Sequence, residues 1–323
     1  MTREVLLLRH AKAHKHTDAG DKQRELKDKG KRNAQRIGVW LAKNDKVPDC
    51  IISSPAIRAK RTAEKACKTA GLNADIILFD KRLYNAELKD VMSILKDAPK
   101  SARRVMLVGH NPSLEQTLVH LSQTPPPRNE KDGFLTKGTL AILETDETWK
   151  KIQKHTFKFV DVIEPSTLPR LFPFPDINGT EERARPAYYY TQSSVVPFRR
   201  TDDGLEVLII SSSKNKHWVI PKGIHDPGLT AEQSAAKEAR EEAGVEGHVL
   251  PTQIGSYTYP KWDAECTVAV YPMDVTHVIS EKDWEERHRG RKWVSVEEAS
   301  RMVKNDDVKR IVADLSKALG GTP

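Results

Sequence analysis

The sequence predicts an α/β protein built as two domains, and three observations predict it. In the first half of the 323 residues, short apolar runs alternate with stretches of helical pattern, which suits a mostly parallel three-layer α/β arrangement. A proline-rich stretch over residues 164–175, with Pro165, Pro169, Pro173 and Pro175, interrupts the chain near its middle. Charge divides at the same place: residues 1–160 carry 32 Lys and Arg against 19 Asp and Glu, a net of +13, and residues 161–323 carry 21 against 26, a net of −5. The length also exceeds what one domain usually holds. The expected division is residues 1–162, a semi-rigid linker at 163–185, and residues 186–323, with no internal repeat.

In chain order, residues 3–8 (Arg-Glu-Val-Leu-Leu-Leu) read as a short buried strand that delivers Arg9 and His10 at its C-terminal end. That end is where open α/β sheets bind ligands. A second strand, residues 50–52, ends in Ser53-Ser54-Pro55, and Ala56-Ile57-Arg58 opens a helix. A third, residues 104–108, ends in Gly109-His110-Asn111-Pro112. A single histidine after a strand is ordinary loop composition. Two histidines and two arginines from three strand ends are a candidate pocket. Residues 125–132, three prolines followed by charge, read as a surface loop.

The combination of R-H-A at residues 9–11, S-S-P-x-x-R-A-x-x-T-A from Ser53 and V-G-H-N from Val108 resembles the histidine phosphatase superfamily in its small SixA-like branch, over roughly residues 1–160. The resemblance implies the histidine-phosphatase fold, with His10 as the nucleophile that accepts a phosphoryl group. It implies Arg9, Arg58 and His110 as the clamp on the phosphoryl oxygens, and no metal. Fixed cationic donors suit the negative charge of a transferring phosphoryl group, and a neutral imidazole is a competent nucleophile. The usual R-H-G appears here with Ala11. Glu87, in Leu83-Tyr84-Asn85-Ala86-Glu87, is the candidate general acid; the other reading is a first-turn helix carboxylate favoured by the dipole.

The second half opens with a strand-like run at 188–198, a turn at Asp202-Asp203-Gly204 and a hairpin strand at 205–210. Trp218-Val219-Ile220 reads as a strand end and Pro221-Lys222-Gly223 as a turn into a loop. A helix follows: Thr230 and Gln233 make a capping box, Ala235, Ala236, Ala239 and Ala243 a small packing face, and Gly244 a stop. Glu238, Glu241 and Glu242 fall on one face of that helix. Like charges so close cost roughly 0.2–0.5 kcal/mol per pair in an isolated helix. A divalent cation is the natural partner; a solvated acidic face is the plainer reading. A further helix is expected near 296–302.

The segment from Gly223 to Val245 resembles the Nudix box, G-x5-E-x7-R-E-U-x-E-E-x-G-U, with U aliphatic. Gly223, Glu238, Glu241, Glu242, Gly244 and Val245 match, Ala239 is a small U, and two positions depart: Leu229 for the first Glu and Lys237 for the Arg. Lysine keeps the charge without the planar fork. The resemblance implies an α/β/α sandwich with a mixed sheet. It implies Mg²⁺ or Mn²⁺ held by Glu238, Glu241 and Glu242 near the Gly223 carbonyl, with Glu238 positioning the attacking water. W-V-I-P-K-G, E-E-A-G-V-E-G and I-G-S-Y-T-Y-P-K-W resemble the branch acting on dinucleoside polyphosphates and diphosphoinositol polyphosphates. Lys222 would then meet a phosphate, and Tyr257, Tyr259 and Trp262 would either stack on a base or pack within the fold.

No apolar run approaches the ~20 residues of a membrane span, and no secretory signal opens the chain. Three cysteines without metal-ligand spacing suit a reducing cytoplasm. The basic residues lack a nucleic-acid module, so the expected partner is a small-molecule polyphosphate, nucleotides included; oligomeric state is open. The expected function is a bifunctional phosphohydrolase. Two other readings stand beside it: a degenerate Nudix domain that senses a nucleotide and regulates the phosphatase, and a protein phosphohistidine phosphatase.

Overall fold

In the central strand of the first unit, Val5 and Leu7 pack into one apolar core while Leu6 and Leu8 pack into another. Strand neighbours point to opposite faces, so an uninterrupted apolar run marks a strand buried on both sides. A computed structural model describes residues 1–124, 126–128, 133–176 and 179–320. Pro125 and residues 129–132 of the expected proline-rich loop therefore lie outside the described residues. The chain divides into two compact units, Met1–Phe172 and Pro173–Pro323.

The first unit runs β1 (Arg3–Arg9), α1 (Asp28–Lys43), β2 (Cys50–Ser53), α2 (Ile57–Thr69), β3 (Ile77–Phe79), α3 (Leu88–Lys96), β4 (Arg104–Gly109), α4 (Ser113–Leu121), β5 (Leu140–Thr145) and β6 (Lys158–Ile163). The sheet order is β3-β2-β4-β1-β5-β6. The first four strands are mutually parallel and the last two antiparallel. Ile37, Leu41, Ala59, Ala63 and Ala66 of α1 and α2 cover one face; Val91, Ile94, Leu95, Leu114 and Leu118 of α3 and α4 cover the other. The C-terminal ends of β1, β2 and β4 are neighbours, so the residues after them share one rim. At the opposite end, Glu4 ties Lys46 and Arg104 together.

The segment expected as a proline-rich linker contains a two-stranded ribbon, β7 (Phe172–Asp176) and β8 (Gly179–Arg183). Proline lacks a donor but is tolerated where a strand has a free edge. The Arg183 guanidinium lies 3.5 Å from the Phe174 ring centroid and 4.8 Å from that of Tyr190, so alternating aromatics give the segment contacts of its own.

The rest of the second unit is β9 (Thr191–Thr201), β10 (Gly204–Ser211), β11 (Trp218–Val219), β12 (Lys222–Ile224), α5 (Ala231–Glu238), β13 (Val245–Val249), β14 (Gly255–Lys261), β15 (Ala264–Val278), β16 (Arg291–Ser295), α6 (Val296–Met302), α7 (Asp306–Ala313) and α8 (Leu315–Ala318). Its sheet is mixed. β9 and β15 are parallel, and the other pairings are antiparallel. Ala235, Ala239 and Ala243 pack on Val195, Leu208 and Ile210 on one side; Val308, Ile311 and Val312 pack with Val207, Ile209 and Val268 on the other. This is the α/β/α sandwich expected from sequence. Two local details differ. Residues 222–224 form a short strand paired with β9 rather than a turn. The acidic helix changes at Ala239–Ala243 into a single wide π turn before Gly244 takes a left-handed φ of 62°.

Candidate active sites

In the first unit, His10 follows β1 and is 7% exposed. Its Nδ1 lies 2.9 Å from the Ala11 carbonyl. A carbonyl only accepts, so Nδ1 carries the proton and Nε2 keeps its lone pair. Burial pushes this imidazole down to about 3, against the pull of the Ala11 carbonyl, and the cationic neighbours add to the effect. His110, after β4, has its ring centroid 5.1 Å from that of His10. Its Nε2 is 2.9 Å from Ser54 Oγ, and burial followed by Arg58 lowers it to about 4. Both rings are therefore neutral near pH 7.

Arg58 enters on the first turn of α2. It donates to the Asp21 carbonyl at 2.8 Å and pairs with the Asp21 carboxylate at 2.9 Å. Asp21 also pairs with Arg24 at 2.7 Å and accepts from Tyr84 Oη at 3.1 Å. Arg9 and Asn111 both donate to the Leu135 carbonyl, at 2.6 and 3.1 Å. Among the described residues, Arg9 Nε, Arg58 Nε and His110 Nδ1 are buried without a hydrogen-bond partner. Leaving such groups unmatched costs roughly 1–3 kcal/mol each, and their place on one rim suits an anion. Arg9, His10, Arg58 and His110 line a cavity of about 520 Å³, together with Arg24 and Lys137.

The structure thus brings four of the five first-domain candidates together and leaves one outside. Glu87 precedes α3 with its side chain 69% exposed and 2.8 Å from Lys89. It is not among the residues that line the cavity. Asp21, Arg24 and Lys137 were not picked out from sequence, and Asn111 only as part of V-G-H-N. Ser54 and Thr62 lay inside a quoted motif, where Thr62 accepts from the Ala11 amide at 3.0 Å and donates to the Arg58 carbonyl at 2.6 Å.

In the second unit, Gly223 and Glu238 are in close apposition. A Cβ at Gly223 would stand 2.0 Å from Glu238 Cδ and Oε1. Burial, then Glu242, Glu241 and Asp226, raises the Glu238 carboxyl to about 8. Glu242 accepts from the Lys222 amide at 3.0 Å and from Arg289 Nη2 at 2.6 Å; burial still raises its pKa. Arg289, not picked out from sequence, also donates to the Ser211 carbonyl at 3.2 Å. Lys237, which stands at the box arginine position, pairs with Asp226 at 2.6 Å. Burial works against its charge, but the Asp226 pair outweighs this and holds its pKa above the ordinary value. Asp226, three residues before Leu229, thus gives Lys237 a carboxylate.

Lys222 Nζ donates to Gln192 Oε1 at 3.1 Å and to Tyr259 Oη at 2.9 Å, and Tyr259 donates to the same Gln192 oxygen at 2.8 Å. Burial, then Lys261, lowers Lys222 to about 8. Tyr257 is 7% exposed and belongs to the apolar core beneath α7. Lys222, Tyr257 and Tyr259 also line a cavity of about 410 Å³ with Trp218, Val303 and Val308. Trp262 lies beyond β14, at a φ of 55°, against Tyr189 and Tyr190.

The residues fit a divalent cation by charge. Two glutamates and an aspartate join burial in raising Glu238, and the missing side chain at Gly223 leaves its backbone against that carboxylate. Among the described residues, no three carboxylate, imidazole or thiol groups are already closed around an ion position.

Comparison with known proteins agrees with this division. Residues 5–91 match the histidine phosphatase superfamily (branch 1), and residues 190–315 match the NUDIX domain. The chain therefore joins a histidine-phosphatase domain to a Nudix domain, both of hydrolase families. It is 27% identical over 114 residues to bis(5'-nucleosyl)-tetraphosphatase [asymmetrical] of Sus scrofa, covering 34% of this chain and 78% of that protein. It is 33% identical over 108 residues to diphosphoinositol polyphosphate phosphohydrolase 2 of Rattus norvegicus, covering 32% of this chain. That stretch spans 58% of the rat protein, little more than half its length. A SixA phosphohistidine phosphatase structure from Nakamurella multipartitia is 24% identical, covers 51% of this chain and 97% of that one, and superposes with a TM-score of 0.45. No helix among the described residues is long and apolar enough to cross a membrane.

Proposed function

We propose that the protein is a bifunctional phosphohydrolase: the Nudix domain splits a phosphoanhydride of a (di)nucleoside polyphosphate, and the phosphatase domain removes a terminal phosphoryl group, including one left on the first product. The observation that carries the phosphatase half is His10, whose Nδ1 is committed to the Ala11 carbonyl beside two arginines with unmatched Nε groups. Nε2 attacks phosphorus, Arg9, Arg58 and His110 hold the equatorial oxygens, and the phosphohistidine is then hydrolysed. This half needs no metal.

In the Nudix half, Glu238, Glu241 and Glu242, with the Gly223 carbonyl, would hold Mg²⁺ or Mn²⁺. Bound there, the ion supplies charge neutralisation of the pyrophosphate oxygens and a lowered pKa for water. Glu238 orients the attacking water, and the Lys237–Asp226 pair keeps the lysine beside the acidic cluster. Lys222 meets a phosphate oxygen from its seat on Tyr259 and Gln192. The two relatives are named for nucleosyl tetraphosphate and diphosphoinositol polyphosphate substrates. The largely apolar cavity with Trp218, Tyr257 and Tyr259 supports the nucleoside compound. Three free, buried cysteines suit a reducing cytoplasm.

The test is product analysis with diadenosine tetraphosphate, with Mg²⁺ and with EDTA, beside the Glu238→Gln and His10→Ala proteins. Metal-dependent cleavage lost only in Glu238→Gln supports the assignment. Tight nucleotide binding without turnover would favour a sensor instead, a reading to which the engagement of both Glu242 oxygens lends support.

A further inference from the structure

The phosphatase cavity holds more positive charge than one phosphoryl group uses. Arg9, Arg58, Arg24 and Lys137 all line it, and both histidines are neutral near pH 7. Asp21 is the carboxylate in contact with Arg24 and Arg58. Glu115, the acidic neighbour of Arg9, accepts from the Phe134 and Leu135 amides, each at 2.8 Å. Lys137 makes no ion pair among the described residues, and its pKa is lowered by burial and then by Arg9, Arg24, Lys12 and Lys15.

Both extra cations are fixed in place, Arg24 through its side chain and Lys137 through its backbone. Arg24 is held by Asp21 and by the His14 carbonyl at 2.9 Å. Lys137 stands in a turn bonded on both sides to β1: the Gly138 amide donates to the Arg9 carbonyl, and the Arg9 amide donates to the Thr139 carbonyl, each at 3.1 Å. Gly138 has a φ of 89°, which a residue with a side chain adopts only with strain. Lys137 is exposed, but its turn is pinned beside the clamp, so its base cannot move away from its like-charged neighbours.

We infer that Arg24 and Lys137 form a second phosphate subsite, so that the phosphatase domain takes a substrate with two adjoining phosphoryl groups and releases the terminal one from a phosphoanhydride. This rests on reading that domain as a phosphatase. His10 Nε2 attacks the terminal phosphorus. The N–P bond forms as the bond from phosphorus to the bridging oxygen breaks, and the electron pair stays on that oxygen, within the phosphate held by Arg24 and Lys137. Water then bonds to phosphorus, the N–P pair returns to Nε2, and the water proton leaves with orthophosphate or solvent. A phosphate leaving group has a last pKa of ~6 and departs without a strong acid. The absence of Glu87 from the cavity lining, which its neighbours Asn85 and Ala86 do join, agrees with that chemistry.

The test uses the full chain in EDTA with adenosine diphosphate and adenosine monophosphate, measuring orthophosphate release. The diphosphate is expected to show a kcat/KM at least about tenfold above the monophosphate. Lys137→Met should lower that ratio about tenfold, the scale of one hydrogen bond to a charged group, and Lys137→Arg should restore it. Equal values for the two substrates, or a ratio unchanged in Lys137→Met, would overturn the subsite. A second arm measures inorganic pyrophosphate and orthophosphate binding to the His10→Ala protein by calorimetry. Tighter pyrophosphate binding that weakens in Lys137→Met supports the subsite, and equal affinities refute it. Absence of turnover of either nucleotide by the unmodified protein would instead defeat the phosphatase reading, with the binding arm still deciding the subsite.

Discussion

Replacing Gly223 by alanine places a methyl group where Glu238 now stands. The added Cβ would lie 2.0 Å from Cδ and Oε1 and 2.3 Å from Oε2. Ordinary contact begins near 3.4 Å, so the carboxylate must retreat by about 1.4 Å, or the β12 backbone must move by the same amount. A misplacement of ~1 Å in a catalytic group costs on the order of 100-fold in rate. We expect Gly223→Ala to lose about two orders of magnitude in Mg²⁺-dependent cleavage of diadenosine tetraphosphate, followed by chromatography. Overpacking of this kind costs about 1–3 kcal/mol in stability, so the second unit should melt a few degrees lower while His10-dependent phosphate release is unchanged. If the methyl group acts through Glu238, combining it with Glu238→Gln should add little to the loss from Glu238→Gln alone. Gly223→Ala protein that cleaves the substrate within twofold of the unmodified rate would refute the reasoning, because the carboxylate could not then need the space the glycine leaves.

Other expectations follow from the same contacts. His10 and His110 have folded pKa values of about 3 and 4, below the ordinary 6.5, so the unfolded chain binds more protons in between. Stability is present in full above pH 6.5 and is lost as pH falls from there toward 3, by up to ~1.4 kcal/mol for each ring over each pH interval of one; acid titration by circular dichroism checks the sign. For the same reason the acidic limb of kcat/KM for phosphate release should lie near pH 3–4, and a limb at 6.5 would show a solvated nucleophile. Arg289→Met strands the Glu242 carboxylate in a partly buried site, at a cost of ~3–5 kcal/mol, read as a lower Tm for the second unit only. Asp226→Asn should lower Nudix turnover several-fold, and should add nothing to Lys237→Met in a double-mutant cycle if the pair acts as one unit.

The acidic helix was legible because its chemistry is local. Capping box, alanine face, three glutamates and stop glycine all fall within fifteen residues; the capping box and Gly244 lie where the pattern puts them and Ala235, Ala239 and Ala243 pack inward, while Ala236 is only half-buried and Glu241 and Glu242 fall in the π turn. The strand-end histidines and arginines were legible for a related reason: each strand ends in its functional residue, so parallel pairing of β1, β2 and β4 brings them to one rim. What escaped is what the pattern does not encode. Arg289 meets Glu242 from 47 residues away, and Asp21 reaches Arg58 from an exposed 3₁₀ turn; neither position has a periodicity to betray it. The ribbon of β7 and β8 escaped because prolines read as linker, while the stacking of Arg183 on Phe174 is a tertiary contact. Glu87 carried two readings in the sequence, and it stands as the N-cap of α3, paired with the exposed Lys89.

Asp21 has a consequence of its own. One carboxylate grips Arg24 on one side and Arg58 on the other, with the Tyr84 hydroxyl closing the group. The two guanidiniums are therefore yoked, like two jaws on one pivot. The two guanidiniums share one counter-ion, so a phosphate placed on Arg24 would compete with the carboxylate that also neutralises Arg58.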